Sequence, residues 1–406
     1  MAPPRRKVPD ARTLAFETKI EKLQTKPQPT YSGPENLDLA LDEDIVVEKR
    51  GQRHRAVLMV GGEPVGSTNI IDYRQNVGRC VLRVGAIAGV HTPMSHRFRG
   101  YSRRVMINAL RWMRQAGYDM TLLFGIRAFY PKFGYVPVFP GVRYGLALSD
   151  LPRLASAGYR TVPYGDAYLP AILRMYRRSN SHRIGPICRD AGKWRPFRRG
   201  LSWGMRAVCR VLLDRDGRPA GYYVYDRKAE GARIVEVGYI TPAIFGAIIS
   251  AAVRLARRRN ADTIAFHLPE DEALMEFCKP WGLVKEVRYR RDGGGMARMI
   301  NISSALEKLA PLLAERMSGT GRITIRTNMG GVALDWSKRV MTVHPANRSG
   351  RQARLPQWAL AQMLYGYRDA KAFADAGVLK ASADVTGLLT RMFPSGPHYY
   401  YLVDAF

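Results

Sequence analysis

The stretch Arg97-Phe98-Arg99-Gly100-Tyr101-Ser102 lies between a predicted strand, which ends at residue 90, and the first turn of a predicted helix. At such a position, free backbone N–H groups and the positive end of the helix dipole converge on one point. The glycine lets a diphosphate approach the backbone closely, and the two arginines add positive charge. The stretch therefore predicts a phosphate-binding turn. The alternative is a surface turn with two solvated arginines.

The residues around this turn predict a strand–helix–strand unit. Strands are expected at 54–60, 64–73 and 80–90, and the hairpin signal Gly61-Gly62 joins the first two. Apolar residues then recur at helical spacing from Tyr101 to Met113, and Gly117 ends the helix. A short buried strand at 120–124 follows, which implies a right-handed crossover onto a mixed sheet.

A second unit repeats this order further along the chain. Strands are predicted at 208–214, 220–225 and 233–240, followed by a helix over 241–259 and a strand at 263–268. This helix begins with Thr241-Pro242-Ala243 and has no glycine loop. We therefore expect a degenerate copy that keeps the fold and lacks the phosphate site.

The sequence from about residue 303 onward predicts an α+β end domain. The capping box Ser304-x-x-Glu307 precedes a helix, strands are expected at 321–327 and 340–345, and helices at 356–367 and 382–393. Residues 398–406 are aromatic and nearly uncharged, which is unusual for a terminus, so we expect this tail to be buried. The predicted divisions are a flexible basic arm at 1–35 and three domains at 36–150, 151–302 and 303–406.

Composition narrows the class of protein. The 406 residues include 64 Lys and Arg against 34 Asp and Glu, a formal net charge of +30. This charge attracts anions such as nucleic acid, acidic lipid or phosphorylated cofactors, unless it is only a solvated arginine-rich surface. The cysteines are widely spaced and form no C-x-x-C pair, so neither a metal site nor a disulfide framework is expected. The chain has no apolar run of the roughly 18 residues that a membrane span needs and no signal-peptide core, so a cytoplasmic protein is expected.

A second motif follows the predicted strand at 120–124. Residues 128–135 read Ala-Phe-Tyr-Pro-Lys-Phe-Gly-Tyr. Together with the turn at 97–102, this segment resembles the GNAT acyl-CoA N-acetyltransferases, whose pyrophosphate loop reads R/Q-x-x-G-x-G/A and whose later segment commonly reads F-Y-x-x-F-G-Y. Ser102 departs from the last position of that loop, but serine is small enough for close backbone approach.

The rest of the chain resembles one family of GNAT acetyltransferases in particular. The chain has two GNAT-like units, followed by an end module that is similar to a sterol carrier protein domain and finishes in Tyr-Leu-Val-Asp-Ala-Phe. This layout resembles the enhanced intracellular survival family of acetyltransferases. The resemblance covers roughly residues 40–406 and is strongest over 85–137. It implies an α/β (α+β) fold of two tandem mixed-sheet units and an α+β end domain, in a closed homo-oligomer.

The resemblance also implies which residues bind acetyl-CoA. The backbone of Val90, His91 and Thr92 would hold the pantetheine arm and polarise the thioester carbonyl. Gly125 and Ile126, at the end of the next strand, would also line the cofactor. The cradle of the pyrophosphate would consist of Arg97, Phe98, Arg99, Gly100, Tyr101, Ser102 and Arg103.

Two groups are implied to move protons. Tyr130 matches the tyrosine that protonates the departing CoA thiolate, and a phenol with a pKa of about 10 is neutral at pH 7. Because its neighbours are aromatic, the alternative is a place in the core. In the family the C-terminal carboxylate, here the α-carboxylate of Phe406, is the base. The alternative is that the tail is only an inner strand of the end module, and His91 is then the rival base.

The function implied by the resemblance is transfer of an acetyl group from acetyl-CoA to a primary amine by direct attack. The resemblance implies an aminoglycoside, a polyamine or a lysine side chain as the amine, but a net charge of +30 repels polycations at long range. A competing hypothesis is a protein that binds nucleic acid or anionic lipid on a relic transferase fold, for which the aromatic-basic stretch 193–199 could stack on bases. Lipid binding by the end module is a third hypothesis.

Overall fold

The computed structural model describes residues 31–154, 158–192, 194, 196–197, 206–227, 231–347 and 350–406. Most of the predicted arm, residues 1–30, lies outside the described residues, as does part of the stretch 193–199. Within them, the chain forms three mixed sheets with helices, which confirms the α/β (α+β) fold class. The helices of these residues include none that is both long enough and apolar enough to cross a membrane.

The first sheet contains the predicted hairpin and crossover. Its strands up to the crossover are β1 (Ile45–Arg50), β2 (Arg53–Val60), β3 (Glu63–Val77), β4 (Cys80–His91) and β5 (Met120–Gly125). Neighbours pair antiparallel except β4 and β5, which pair in parallel and are joined by helix α1 (Tyr101–Gln115). The apolar face of α1, including Met106 and Leu110, is buried. The predicted strand–helix–strand order is confirmed.

Two later segments extend this sheet beyond β5. Strand β15 (Gly294–Met299) pairs with β5 on one side and with the short β6 (Val136–Pro137) on the other. Conversely, β7 (Gly141–Ala147) and β14 (Val284–Arg288) lie in the second sheet. The domain divisions at residues 150 and 302 stay predictions, but the strands just before each of them belong to the neighbouring sheet.

The second sheet repeats the order of the first. The elements of this part are β8 (Arg160–Pro163), α2 (Leu169–Asn180), β9 (Ile184–Ile187), β10 (Ala207–Leu213), β11 (Pro219–Asp226), β12 (Ala232–Tyr239), α3 (Phe245–Arg258), β13 (Thr263–Phe266) and α4 (Ala273–Cys278). The strands of the sheet run β14-β7-β13-β12-β11-β10-β8, and β12 and β13, which α3 joins, pair in parallel as predicted. Strand β9 lies apart from this sheet and pairs with the end of β3.

The third sheet lies in the last part of the described chain. The elements of this part are α5 (Ile302–Glu315), β16 (Thr320–Thr327), β17 (Gly330–Ser337), β18 (Val340–Pro345), β19 (Arg351–Arg354), α6 (Gln357–Leu364), α7 (Ala370–Asp375) and α8 (Ala383–Met392). The strands of the sheet have the order β18-β17-β16-β19. Its apolar core is continuous with one face of the first sheet. This continuity brings the end of the chain to the first sheet.

The predicted capping box at the start of α5 is wrong. The side chain of Asn301 caps the helix by accepting the Ser304 backbone N–H at 3.2 Å. The Ser304 hydroxyl instead donates to Asp119 at 2.6 Å, beside β5 in the first sheet. A tertiary partner therefore takes the hydroxyl that the local pattern assigned to the cap.

The C-terminal tail is buried, as predicted. Its side chains divide between two cores: Tyr399, Tyr401 and Val403 pack with the second sheet, and Tyr400 and Phe406 pack with the first and third. The tail therefore lies along the seam between the sheets, and its last residue is only 8% exposed.

Candidate active site

An opening separates the ends of β4 and β5. The two strands pair from Val84–Met120 to Ile87–Leu123, and pairing stops there although β4 continues to His91 and β5 to Gly125. A β-bulge in β4 lies at this point, because Ser67 of β3 pairs with His91 whereas Asn69 pairs with Ala88. Gly89 adopts a φ of +61°, which favours glycine. The bulge bends β4 away from β5 and leaves a cleft between two parallel strands.

The start of α1 is an open anion cradle beside this cleft. Gly100 caps the helix with a φ of +79°, no side chain bonds to the cap, and the first turn carries no acidic residue. A Cβ added at Gly100 would meet nothing within 4 Å, so the space before the helix is open. The first N–H groups of a helix lack intrahelical partners, and Arg97, Arg99 and Arg103 lie within three positions of Gly100 along the chain. The cradle fits a pyrophosphate.

Thr92 supplies an independent sign of a ligand between the cleft and the cradle. Its hydroxyl oxygen is buried and has no hydrogen-bond partner among the residues that the structure describes. Buried hydroxyls are normally paired, so this atom fits a polar group of a bound molecule. Its backbone carbonyl accepts a hydrogen bond from Arg97 Nε at 3.4 Å, which ties the strand end to the cradle.

The other side of the cleft is formed by the end of β5 and the turn that follows it. A Cβ added at Gly125 would collide with the ring of Tyr130, so glycine at this position lets the ring lie against the strand. Ala128 adopts a φ of +59°, and its N–H donates to the buried carboxylate of Asp292 at 3.0 Å. Ile126 is 52% exposed at the mouth of the cleft. The chain therefore turns sharply to place Tyr130 at the end of β5.

Tyr130 is a protonated phenol in this position. Its ring packs edge-on against Phe129, with centroids 4.9 Å apart, and against Tyr135 at 6.1 Å. Burial raises the pKa of Tyr130 to about 12, so the hydroxyl keeps its proton throughout the neutral range. The ring belongs to an aromatic cluster, but it lies at the edge of the cleft. Its role as an acid stays a prediction.

Phe406 reaches the same strand from the other face. Its ring lies 5.7 Å from the ring of Phe124 and 5.6 Å from that of Tyr73. Successive residues of a strand face opposite sides of the sheet. Phe406 therefore packs on the side that Phe124 faces, and Tyr130 packs on the side that Gly125 faces. The end of β5 thus lies between the rings of Tyr130 and Phe406. His91, the rival base, is an exposed residue paired with Ser67 of β3.

Sequence reasoning missed the residues that hold this arrangement from a distance. Arg298 on β15 is 1% exposed, and its guanidinium donates to the carbonyls of Phe133 and Pro34. It thereby supports the turn that carries Tyr130. Asp292 supports the same turn from the loop before β15. A buried arginine and a buried aspartate more than 150 positions away carry no local signal of this role.

The second sheet has a similar opening, and the tail fills it. Val224 pairs with Glu236 whereas Tyr225 pairs with Ile234, so β12 carries a bulge like that of β4. Parallel pairing with β13 ends at Ile234–Phe266 although β12 continues to Tyr239. The Tyr399 hydroxyl donates to the carbonyl of His267, just after β13, at 2.7 Å. Among the described residues, the tail therefore contacts the chain just after β13, where the second unit would have its cleft, and the assignment of this unit as a degenerate copy stays a prediction.

Comparison with known proteins agrees with this geometry. Residues 34–138 match the acetyltransferase (GNAT) domain family. No curated protein matches the sequence. The fold is similar to a probable N-acyltransferase of unknown function from Enterococcus faecalis, with a TM-score of 0.71, 16% identity and coverage of 87% of this chain and 90% of the other. It is also similar to Eis1 from Mycobacterium abscessus, with a TM-score of 0.64, 16% identity and coverage of 97% and 98%.

A further similar structure is the GCN5-related N-acetyltransferase from Anabaena variabilis, with a TM-score of 0.68, 17% identity and coverage of 87% and 89%. At these identities the solved structures define the fold. The domain match, together with the cleft and cradle it contains, defines the class of protein: residues 34–138 are an acetyltransferase (GNAT) domain. The chain is an N-acetyltransferase.

Because the tail occupies the opening between β12 and β13, we can predict how many acetyl-CoA molecules bind to each chain. Isothermal titration should give about one acetyl-CoA per chain, because among the described residues only the β4–β5 cleft combines an opening with a glycine helix cap that forms no side-chain hydrogen bond. A value near two per chain would contradict the assignment of the second unit as a degenerate copy.

Proposed function

We propose that the protein transfers the acetyl group of acetyl-CoA to a primary amine by direct attack, as a member of the enhanced intracellular survival family. The observation that supports this proposal is that the ring of Tyr130 and the ring of Phe406 both pack at the end of β5, close to a helix start that has a glycine cap and no side-chain cap hydrogen bond. The cradle at residues 97–103 binds the pyrophosphate. Val90 to Thr92 hold the pantetheine arm, and the thioester lies toward Gly125 and Ile126.

The reaction needs a proton acceptor and a proton donor. The amine nitrogen forms a bond to the thioester carbon, and the backbone beside the bulge of β4 stabilises the negative oxygen that develops. The α-carboxylate of Phe406 takes the proton of the attacking amine, directly or through a water molecule. The C–S bond then breaks, and Tyr130 donates its proton to the CoA thiolate. Solvent exchange returns Tyr130 and the carboxylate to their starting states.

The acceptor is a primary amine of low positive charge. The chain carries a formal net charge of +30, so its long-range field disfavours polycations such as aminoglycosides and polyamines relative to a single lysine side chain or a neutral amine. A panel of kanamycin, spermidine and an Nα-acetyl-lysine amide, assayed by release of the CoA thiol, tests the proposal. Turnover should be highest for the lysine compound. Binding of acetyl-CoA without turnover of any primary amine would contradict transferase function.

The proposal also includes a cytoplasmic location, a sterol carrier protein-like end module and a homo-oligomer. The cysteines Cys80, Cys188, Cys209 and Cys278 are free thiols, which suits a cytoplasmic enzyme. The family resemblance supports a sterol carrier protein-like end module and a homo-oligomer. The alternative, a nucleic-acid- or anionic-lipid-binding protein on a relic fold, is not favoured. Trp194, in its aromatic-basic stretch, donates its indole N–H to Asp404 at 2.9 Å and so has a partner within the chain.

Replacing Tyr130 tests the proton donor. Tyr130→Phe keeps the ring against Gly125 and removes the hydroxyl, so kcat should fall by roughly 10² or more with little change in acetyl-CoA affinity. Tyr135→Phe is the matched control, because it makes the same change in the same cluster, where the hydroxyl bonds to Thr121 at 2.9 Å. The control should lose stability and keep kcat. Equal kcat in both variants would assign Tyr130 to the aromatic core alone.

A further inference from the structure

A buried charge cluster joins the C-terminal tail to the second sheet. The Arg189 side chain is 0% exposed, and its two terminal nitrogens donate to the two carboxylate oxygens of Glu236, both at 2.6 Å. The same guanidinium donates to the carboxylate of Asp404 through Nε at 3.1 Å and through Nη2 at 2.9 Å. One arginine therefore holds a strand residue and a tail residue together.

Neighbouring groups satisfy the rest of the cluster. The Trp194 indole N–H donates to Asp404 at 2.9 Å, and the Tyr222 hydroxyl donates to Glu236 at 2.6 Å. The guanidinium carbon lies 4.2 Å from the centroid of the Trp194 ring. These directional hydrogen bonds fix the orientation of each carboxylate, whereas non-directional apolar packing would not.

The charges of the cluster do not balance, which decides how it can be tested. Two carboxylates share one guanidinium, and burial raises the pKa of Asp404. Removing Asp404 leaves a paired Arg189 and Glu236, whereas removing Arg189 would leave two buried carboxylates facing each other. Asp404 is therefore the member whose loss the fold can tolerate.

The cluster lies close to the terminus along the chain. Asp404 precedes Phe406 by two residues, a reach of at most about 7 Å. Its backbone is held as well, because the Tyr400 hydroxyl donates to the Asp404 carbonyl at 3.0 Å and closes the turn over Leu402–Asp404. Arg189 follows β9, which pairs with β3 of the first sheet, and Glu236 lies on β12 of the second. The tail is thus fixed relative to both sheets just before it ends.

We propose that the Arg189–Glu236–Asp404 cluster fixes the α-carboxylate of Phe406 at the end of β5, with Asp404 as a positioning residue for the base. The inference rests on the proposed function, in which that carboxylate takes the acceptor's proton. A buried ion cluster contributes little net stability compared with apolar residues of the same size. Its directional bonds instead set where the chain ends, and misplacement of a catalytic group by about 1 Å can cost 10²-fold in rate.

The first measurement needs no acceptor. Carboxypeptidase A removes aromatic residues from accessible C-termini, and the 8% exposure of Phe406 should protect it in the native protein. In Asp404→Ala, loss of phenylalanine, followed by mass spectrometry, should be at least about tenfold faster while circular dichroism and the melting temperature show a folded protein. Leu402→Ala, in the same turn and outside the cluster, is the matched control and should stay resistant.

The second measurement separates positioning from stability. With the Nα-acetyl-lysine amide or the best amine of the panel, Asp404→Ala should lower kcat by roughly 10- to 100-fold and leave the KM for acetyl-CoA unchanged. In protein that lacks Phe406, assayed at high enzyme concentration, Asp404→Ala should cause no further loss, because the positioned group is already gone. Trp194→Phe removes one hydrogen bond to Asp404 and keeps an aromatic ring beside Arg189, so it provides a milder variant, with a smaller loss of kcat, if Asp404→Ala does not fold.

Each remaining outcome overturns a defined part of the account. If deletion of Phe406 abolishes turnover but folded Asp404→Ala keeps wild-type kcat and a resistant terminus, the positioning role is wrong and the base assignment stands. If the losses from Asp404→Ala and the deletion multiply, Asp404 acts independently of the terminus and the inference is also wrong. If the protein without Phe406 turns over at the wild-type rate, the proposed base itself is wrong.

Discussion

Protein extended by a few residues after Phe406 should lose nearly all turnover. The extension converts the α-carboxylate into a neutral amide and forces new atoms into a place where Phe406 is 8% exposed and packed on Phe124. Without a base, the acceptor amine stays protonated, and general-base catalysis is typically worth 10²- to 10⁴-fold. The measurement is kcat at saturating acetyl-CoA, with circular dichroism to establish folding.

Deletion and an N-terminal tag complete this experiment. Deleting Phe406 moves the terminal carboxylate back by roughly 3.5 Å along an extended chain, beyond hydrogen-bond reach of its former partner, so turnover should fall in the same way. A tag on the N-terminus should have no effect on turnover. A folded, C-terminally extended enzyme with near wild-type kcat would show that the base lies elsewhere, and His91 would be the first candidate.

Gly100→Asp should abolish binding of acetyl-CoA. The residue caps α1 with a φ of +79°, a conformation that aspartate tolerates better than most side chains, and the space for its Cβ is open. Its carboxylate can bond to the free N–H groups of the first turn and so takes the place of the pyrophosphate. We expect the Kd measured by isothermal titration to rise by at least about 100-fold, because the negative carboxylate repels the pyrophosphate where the N–H groups would attract it.

Gly117→Asp is the matched control for this change. Gly117 lies just beyond the other end of α1, also has a positive φ of +74°, and also has nothing within 4 Å of a built Cβ. The control should destabilise the helix end slightly and leave acetyl-CoA binding unchanged. If Gly100→Asp binds acetyl-CoA as well as Gly117→Asp does, the cradle is not the pyrophosphate site.

Local signals were sufficient to predict the hairpin, the helix α1 and the glycine turn before it, but not strand β1. Helical spacing and the flanking glycines place α1 within two residues of its bounds at Tyr101–Gln115, because its apolar face and its termini are both encoded in consecutive residues. The bulge in β4 was not predicted, although Gly89 is a signal that could have indicated it. The closeness of Tyr130 to Gly125 follows from a turn of only a few residues.

Long-range pairing could not be predicted. Strands β7 and β15 lie in the sheets of their neighbours, and a strand's own residues do not encode which distant edge it pairs with. The same limit applies to Trp194, whose basic neighbours favour base stacking but whose indole N–H donates to Asp404 at the far end of the chain. The composition of the tail predicts its burial, but it does not predict which residues of β12 the tail lies against.

A crystal structure with CoA bound tests the central claim most directly. The account predicts the pyrophosphate on the N–H groups at the start of α1, with the pantetheine arm in the cleft between β4 and β5. The thiol should then lie at the end of β5, between the Tyr130 hydroxyl and the α-carboxylate of Phe406. CoA bound at any other place, or a thiol remote from both groups, would contradict it.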